Sequence, residues 1–326
     1  MKYRTFGRLG WQVSEIGFGA WALGGSWGPQ DDSESVAALH AALDLGCNFV
    51  DTALAYGNGR SERVVARVLR ERAVGDRVYV ATKIPPAPGA WPPGPRDDLA
   101  KRFPAAYIRA KVEESLRNLQ SDCLDLLQLH TWARAWNRNP SALEMLRELQ
   151  REGKIAGIGI STPEPDQNAL NDLMRDGWLD AVQVIYNIFE QDPAAELLPL
   201  AADNKVGVIV RVAFDEGSLT GKFTTKTQFT GDDFRQLYFA GDRLARTVER
   251  VEKIRATVGD REPDLAAAAL KFALKPAAVS TVIAGMRNRD QACRNCAVGD
   301  MPPMADELER ELFAHQWRRG QWYDGK

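Results

Sequence analysis

The feature that most constrains this chain is a repeated alternation of short apolar runs with helix-spaced segments. After a polar N-terminal hairpin (residues 2–4 and 10–13), eight runs of strand length follow, at residues 15–19, 48–51, 78–83, 123–130, 155–161, 181–186, 206–212 and 281–285. Most are continuously apolar rather than alternating, which is how strands covered on both faces of a parallel sheet read. Helix-spaced segments lie between them at 33–45, 61–72, 104–119, 141–152, 167–176, 194–203 and 243–258. The first carries Val36, Leu39, Ala42 and Leu43 on one stripe, with Asp32 or Ser33 to cap its start and Gly46 to end it. Regular alternation with no break in composition predicts an α/β fold. We expect one parallel (β/α)8 TIM barrel over residues 1–326, with an N-terminal β-hairpin and long loops at the C-terminal rim.

Composition narrows the function classes. Lys and Arg total 42 against 44 Asp and Glu, a net charge of −2, so the electrostatic footprint of a nucleic-acid binder is missing. A 44% hydrophobic and 26% charged content is that of an ordinary globular chain rather than a disordered one. No secretory-type apolar segment follows Met1 and no apolar stretch is long enough to span a membrane, so a cytoplasmic setting is expected. Four cysteines fit a reduced compartment, and the Cys293-x-x-Cys296 pair, placed mid-helix without further ligands, reads as inert.

In a closed parallel barrel the chemistry sits where the strands end, at their C-terminal edge. The run 48–51 ends in Asp51, with Tyr56 in the loop beyond; 78–83 ends in Lys83; 123–130 ends in His130. A lysine closing an apolar strand points into the barrel mouth, where only a functional partner makes its burial tolerable. Together these groups suit proton delivery to a carbonyl oxygen as hydride reaches the carbon. An ammonium beside a phenol is expected to lower its pKa, a carboxylate charges and fixes the ammonium, and an imidazole donates to the substrate oxygen or relays a proton.

At these residues the chain resembles the aldo-keto reductase family, over about residues 3–295. The stretch from Asp51 through Tyr56 to Ser61 and Glu62 is similar to the family's DTAxxYGxGxSE signature, and Ala81-Thr82-Lys83 and Asp125–His130 to its lysine and histidine segments. The resemblance implies Asp51, Tyr56, Lys83 and His130 as a catalytic tetrad with Tyr56 as general acid. It also implies a dinucleotide site. Ser161 and Gln183 would bind the nicotinamide carboxamide, with Thr162 where the family often has Asn. Arg211 would stack on the nicotinamide in place of an aromatic residue. Gly217, Leu219 and Lys222 belong to a segment similar to the family's pyrophosphate loop. Gly285, Arg287, Gln291 and Asn295 resemble the adenosine-phosphate segment, with Arg287, and Arg235 in a long insertion, to meet a 2′-phosphate. NADPH rather than NADH is therefore expected.

Gly17-Phe18-Gly19-Ala20-Trp21-Ala22 fits the loose GxGxxA dinucleotide fingerprint, but the glycines and proline that follow forbid the helix it requires. It reads instead as the first strand-to-helix loop, placing Trp21 at the pocket wall. Trp27, Trp91, Trp132 and Trp136 also fall in loops after strands, with Trp317 and Trp322 in the tail. An aromatic-lined pocket for a small carbonyl substrate, uncharged or aromatic, is expected. The competing reading is an NADPH-binding regulatory subunit resembling the potassium-channel β-subunits. A metal-dependent barrel is opposed by a total of three histidines, and a glycosidase by the lack of a second well-placed carboxylate.

Overall fold

The computed structural model describes residues 1–25, 30–72, 77–231 and 233–317. Two antiparallel strands, β1 (Tyr3–Phe6) and β2 (Trp11–Ser14), form the hairpin. The barrel strands are β3 (Ile16–Gly19), β4 (Phe49–Asp51), β5 (Tyr79–Ile84), β6 (Leu124–Leu129), β7 (Ile155–Ser161), β8 (Ala181–Ile185), β9 (Gly207–Arg211) and β10 (Val279–Gly285). Each pairs in parallel with the next, and β10 closes onto β3, giving the eight-stranded barrel expected from the apolar runs.

Two apolar compartments result. The larger lies between barrel and helices, where Leu39, Val65, Ile108 and Leu146 face Val50, Leu127 and Ile160. The smaller lies inside the barrel floor: the hairpin lays Phe6 between Trp11 and Phe49, with ring centroids 5.6 and 5.5 Å away, and Trp11 stacks on Tyr79. The hairpin therefore seals the end opposite the strand C-termini. The decoy glycines behave as a loop: β3 stops at Gly19 and a short 3-10 turn, Trp21–Gly24, follows.

Local differences from the expectations have local causes. The first helix, Asp32–Asp44, is capped by Asp31, whose side chain accepts from the Ser33 N–H, rather than by Asp32 or Ser33. The expected helix at 167–176 shrinks to Asn171–Arg175, because Gln167 is held in the preceding loop by Thr162, Ile185 and the carbonyls of Pro163 and Glu164. A helix absent from the sequence reading, Leu265–Leu274, is capped by Asp264 and buried almost all round. It has no polar stripe, so its periodicity carries no signal. The helix at Arg289–Ala297 places Cys293 outside and Cys296 inside, both free. No helix among the described residues is long and apolar enough to cross a membrane.

Because Phe6 is fully buried within the floor cluster, Phe6→Ala is expected to cost about 3–5 kcal/mol of stability by loss of transfer energy and creation of a cavity. Urea unfolding should show a lowered midpoint, and an unchanged one would contradict the sealing role.

Candidate active site

Strand ends bring the sequence-predicted polar residues together. Asp51 ends β4 and Lys83 lies one residue before the end of β5; Tyr56 follows β4 in a loop, and His130 follows β6 with its N–H held by the Ile84 carbonyl at 3.0 Å. Lys83 has no exposed surface, so each of its ammonium protons needs an acceptor. Its Nζ donates to Asp51 Oδ2 at 2.5 Å, to the Thr52 carbonyl at 2.9 Å and to Tyr56 Oη at 3.3 Å. The other Asp51 oxygen accepts from Gln183 Nε2 at 2.7 Å and from Gln128 Nε2 at 3.2 Å. The Tyr56 and His130 rings meet edge-on with centroids 5.6 Å apart, and Trp91 meets His130 edge-on as well, also at 5.6 Å.

Burial and charge set the protonation states in opposite senses. Burial works against the Lys83 ammonium, but Asp51 and Tyr56 outweigh it and the pKa lies above the ordinary lysine value. Burial pushes the Tyr56 phenol up; Lys83 draws it down but does not prevail, and Asp51 adds to the upward shift. This corrects the expectation that the ammonium would lower the phenol's pKa: burial beats a single hydrogen-bonded cation, so the phenol keeps its proton through neutrality. Burial, then the Lys83 and Arg211 cations, hold His130 well below the usual imidazole range, and its ring is neutral.

These groups form one end of an elongated cavity of about 740 Å³. Trp21, Asp51, Tyr56, Trp91 and His130 line that end; Ser161, Gln183 and Arg211 line the middle; Gly217, Lys222, Arg235, Gly285, Arg287, Gln291 and Asn295 line the far end. Gly217 has φ +98°, in the left-handed region, so glycine suits a loop whose backbone faces the cavity. Arg211 donates to the Thr162 carbonyl at 3.0 Å, while its buried Nε has no hydrogen-bond partner among the described residues. Arg287 is held by Gln30, which accepts from its Nε at 2.9 Å.

Several predicted residues have other engagements. Leu219 packs into the core and spends its N–H on the Phe214 carbonyl at 3.0 Å; it is not on the cavity wall. Gln291 Oε1 accepts from the Arg287 N–H, and Asn295 donates to the Gly285 carbonyl, so both shape the segment they belong to. Arg235 forms a forked ion pair with buried Asp233. The Thr162 hydroxyl is taken by Gln167. Of the tryptophans, Trp132 and Trp136 are buried against each other in the core, each N–H satisfied within the protein, which corrects their expected place on the pocket wall. Trp317 packs on Phe189, away from the cavity, while Trp27 and Trp322 lie outside the described residues.

The sequence reading missed Glu164 beside Arg211, and Pro263, Asp264, Ala267 and Arg294 at the far end. Asp264, an aspartate placed to cap the apolar run that follows, was the available signal for the helix Leu265–Leu274 and its cavity-lining start.

A parallel barrel with this cavity over its C-terminal rim, and a lysine, a carboxylate, a phenol and an imidazole gathered at one end, is the architecture of a barrel oxidoreductase. The family model "Aldo/keto reductase family" matches residues 15–311, and the chain belongs to that family. It is 36% identical to the aldo-keto reductase YhdN of Bacillus subtilis (strain 168) over 72% of this chain and 69% of the relative. It is 28% identical to the NADH-specific methylglyoxal reductase of Escherichia coli (strain K12), covering 95% of this chain and 100% of the relative. The glycerol dehydrogenase AKR11B4 of Gluconobacter oxydans superposes with a TM-score of 0.78 at 27% identity, covering 96% of this chain and 94% of that one. Membership supports carbonyl chemistry with a nicotinamide cofactor.

A histidine whose folded pKa lies below its unfolded value of 6.5 costs stability as pH falls, because only the unfolded chain takes up the proton. The loss begins near the unfolded value and continues down to the folded one. Wild type is therefore expected to lose more stability than His130→Leu between about pH 7 and about pH 5. Equal slopes in denaturant titrations would contradict a neutral buried imidazole.

Proposed function

We propose that the protein reduces a small aldehyde or ketone to an alcohol with NADPH, Tyr56 acting as general acid. The observation that carries this reading is the buried Lys83 ammonium, bonded at once to Asp51 and to the Tyr56 hydroxyl, two groups that line the cavity together with His130. When bound, the nicotinamide supplies hydride to the carbonyl carbon. Tyr56 donates its proton to the carbonyl oxygen as negative charge develops there. Lys83 stabilises the phenolate left behind, and Asp51 keeps the ammonium in place. The neutral His130 ring orients the same oxygen by hydrogen bonding rather than by charge.

The remaining cavity residues fit the dinucleotide. Ser161 and the Gln183 amide oxygen suit a carboxamide, the Arg211 guanidinium offers a plane for stacking, and Gly217 presents backbone to the pyrophosphate with Lys222 nearby. The far end gathers Arg235, Arg287 and Arg294, a cationic set that suits a 2′-phosphate better than a bare ribose hydroxyl. Arg287 leads this set, since Arg235 is already forked onto Asp233. Trp21, Ala22, Ala55 and Trp91 give the reacting end an apolar wall for an uncharged or aromatic substrate. The relatives named above carry the names of enzymes, and the regulatory-subunit alternative gains no support from them.

Tyr56→Phe is expected to lower kcat for carbonyl reduction by at least about 100-fold while leaving cofactor affinity within about twofold, as measured by absorbance loss and by fluorescence titration. Near-normal turnover by that variant would sink the acid assignment. Arg287→Ala is expected to weaken NADPH about tenfold or more with little change for NADH. Equal effects on both cofactors would refute contact with a 2′-phosphate.

A further inference from the structure

Gln128 is absent from the tetrad and from the cavity wall, yet it touches the carboxylate on which the tetrad hangs. It lies on β6, in register with Lys83 on β5 and with Gly159 on β7. Asp51, Gln128 and Gln183 come from β4, β6 and β8, alternate strands of the barrel, and so belong to one interior layer. Such layers are ordinarily filled by branched apolar side chains. Here three polar ones meet on a single oxygen, Asp51 Oδ1, with Gln128 at 3.2 Å and Gln183 at 2.7 Å.

Packing and hydrogen-bond accounting both single out the Gln128 amide. A Cβ at Gly159 would lie 3.1 Å from Gln128 Cγ, so the glycine in register leaves the space the glutamine occupies. Gln128 is fully buried, and its Oε1 has no hydrogen-bond partner among the described residues. An orphaned carbonyl oxygen in a dry interior is costly, and an apolar side chain at this site would avoid it. The donor half of the amide is what offsets that cost. The described partners of Asp51 are all donors to it: two amides on one oxygen and the ammonium on the other.

We propose that Gln128 is a positioning residue of the reaction: with Gln183 it holds the Asp51 carboxylate turned toward Lys83, and so keeps the ammonium against the Tyr56 hydroxyl. The assignment rests on the reading of Tyr56 as proton donor. Gln183 faces the cavity as well, so Gln128 is the member of the pair that acts on Asp51 without reaching cofactor or substrate.

The test compares Gln128→Glu and Gln128→Leu with wild type. A glutamic acid here donates to Asp51 while protonated and repels it once ionised, since two adjacent carboxylates resist ionising together. Relative to wild type, Gln128→Glu is expected to keep carbonyl turnover at acidic pH and to lose about tenfold in kcat as pH rises. Gln128→Leu is expected to lose about tenfold at every pH. Neither should change substrate KM or nicotinamide Kd by more than about twofold. A Gln128→Glu profile superimposable on that of wild type would overturn the proposal, as would losses confined to KM or Kd.

A second readout needs no turnover. The melting-temperature deficit of Gln128→Glu is expected to grow with pH and to shrink when Asp51→Asn is added. A deficit independent of pH, or indifferent to Asp51→Asn, would overturn the contact. If wild type itself turned over no carbonyl, the proposed activity would fail while the melting series still decided the placement of Gln128.

Discussion

A lysine with no exposed surface inside a parallel barrel is the constraint around which this site is arranged. Burying an ammonium costs several kcal/mol unless a counter-charge and further acceptors are already in place. Lys83 has all three acceptors it needs: the strand-end carboxylate of Asp51, the backbone carbonyl of Thr52 just beyond it and the phenol of Tyr56 in the turn that follows. Asp51 is itself dehydrated and takes two further donors from across the barrel. Closure of the eight strands is what brings these partners within reach. The same dryness that makes the pair costly keeps the phenol protonated and the imidazole neutral.

Much of this was legible in the sequence, for identifiable reasons. Continuous apolar runs ending in Asp51, Lys83 and His130 announced both the buried strands and the polar rim, because a charged residue at such a position has no other tolerable location. The hairpin, the decoy glycines and most helices read correctly from turn chemistry and spacing. Leu265–Leu274 is invisible to periodicity because it is buried almost all round and carries no polar stripe, and the spacing over 167–176 overstates its helix because Gln167 bonds to its own loop. Trp132 and Trp136 were misplaced because loop membership says nothing about whether a side chain turns outward or down into the core. The rise of the Tyr56 pKa was also out of reach. A neighbouring cation can be read from a motif, but the depth of burial that overrides it belongs to the assembled barrel.

The long insertion after β9 shows how the rim acquires a character of its own. Phe223, Phe229 and Phe239 pack on one another, and Phe234 lies 4.8 Å from Trp21 at the reacting end. Arg235 stands over Phe229 while forked onto Asp233. Tyr238 contacts both Phe234 and Phe239, so the aromatic cluster joins the cavity wall at Trp21 to Arg235, and packing changes in the insertion would be felt at both.

The hairpin floor has a consequence for how the chain is made. Lys2 bonds through its N–H to the Gly299 carbonyl at 3.0 Å and through Nζ to the Met301 carbonyl at 2.6 Å, and Arg4 donates to the Val279 carbonyl at 2.8 Å. Those partners leave the ribosome after nearly the whole barrel has been synthesised. Until then Phe6 and Trp11 cannot be seated beneath a closed ring of strands, because β3, paired with β4 on one side, still lacks β10 on the other. Closing the floor therefore waits on the last strand, and an unclosed barrel exposes a strand edge of the kind that invites edge-to-edge association.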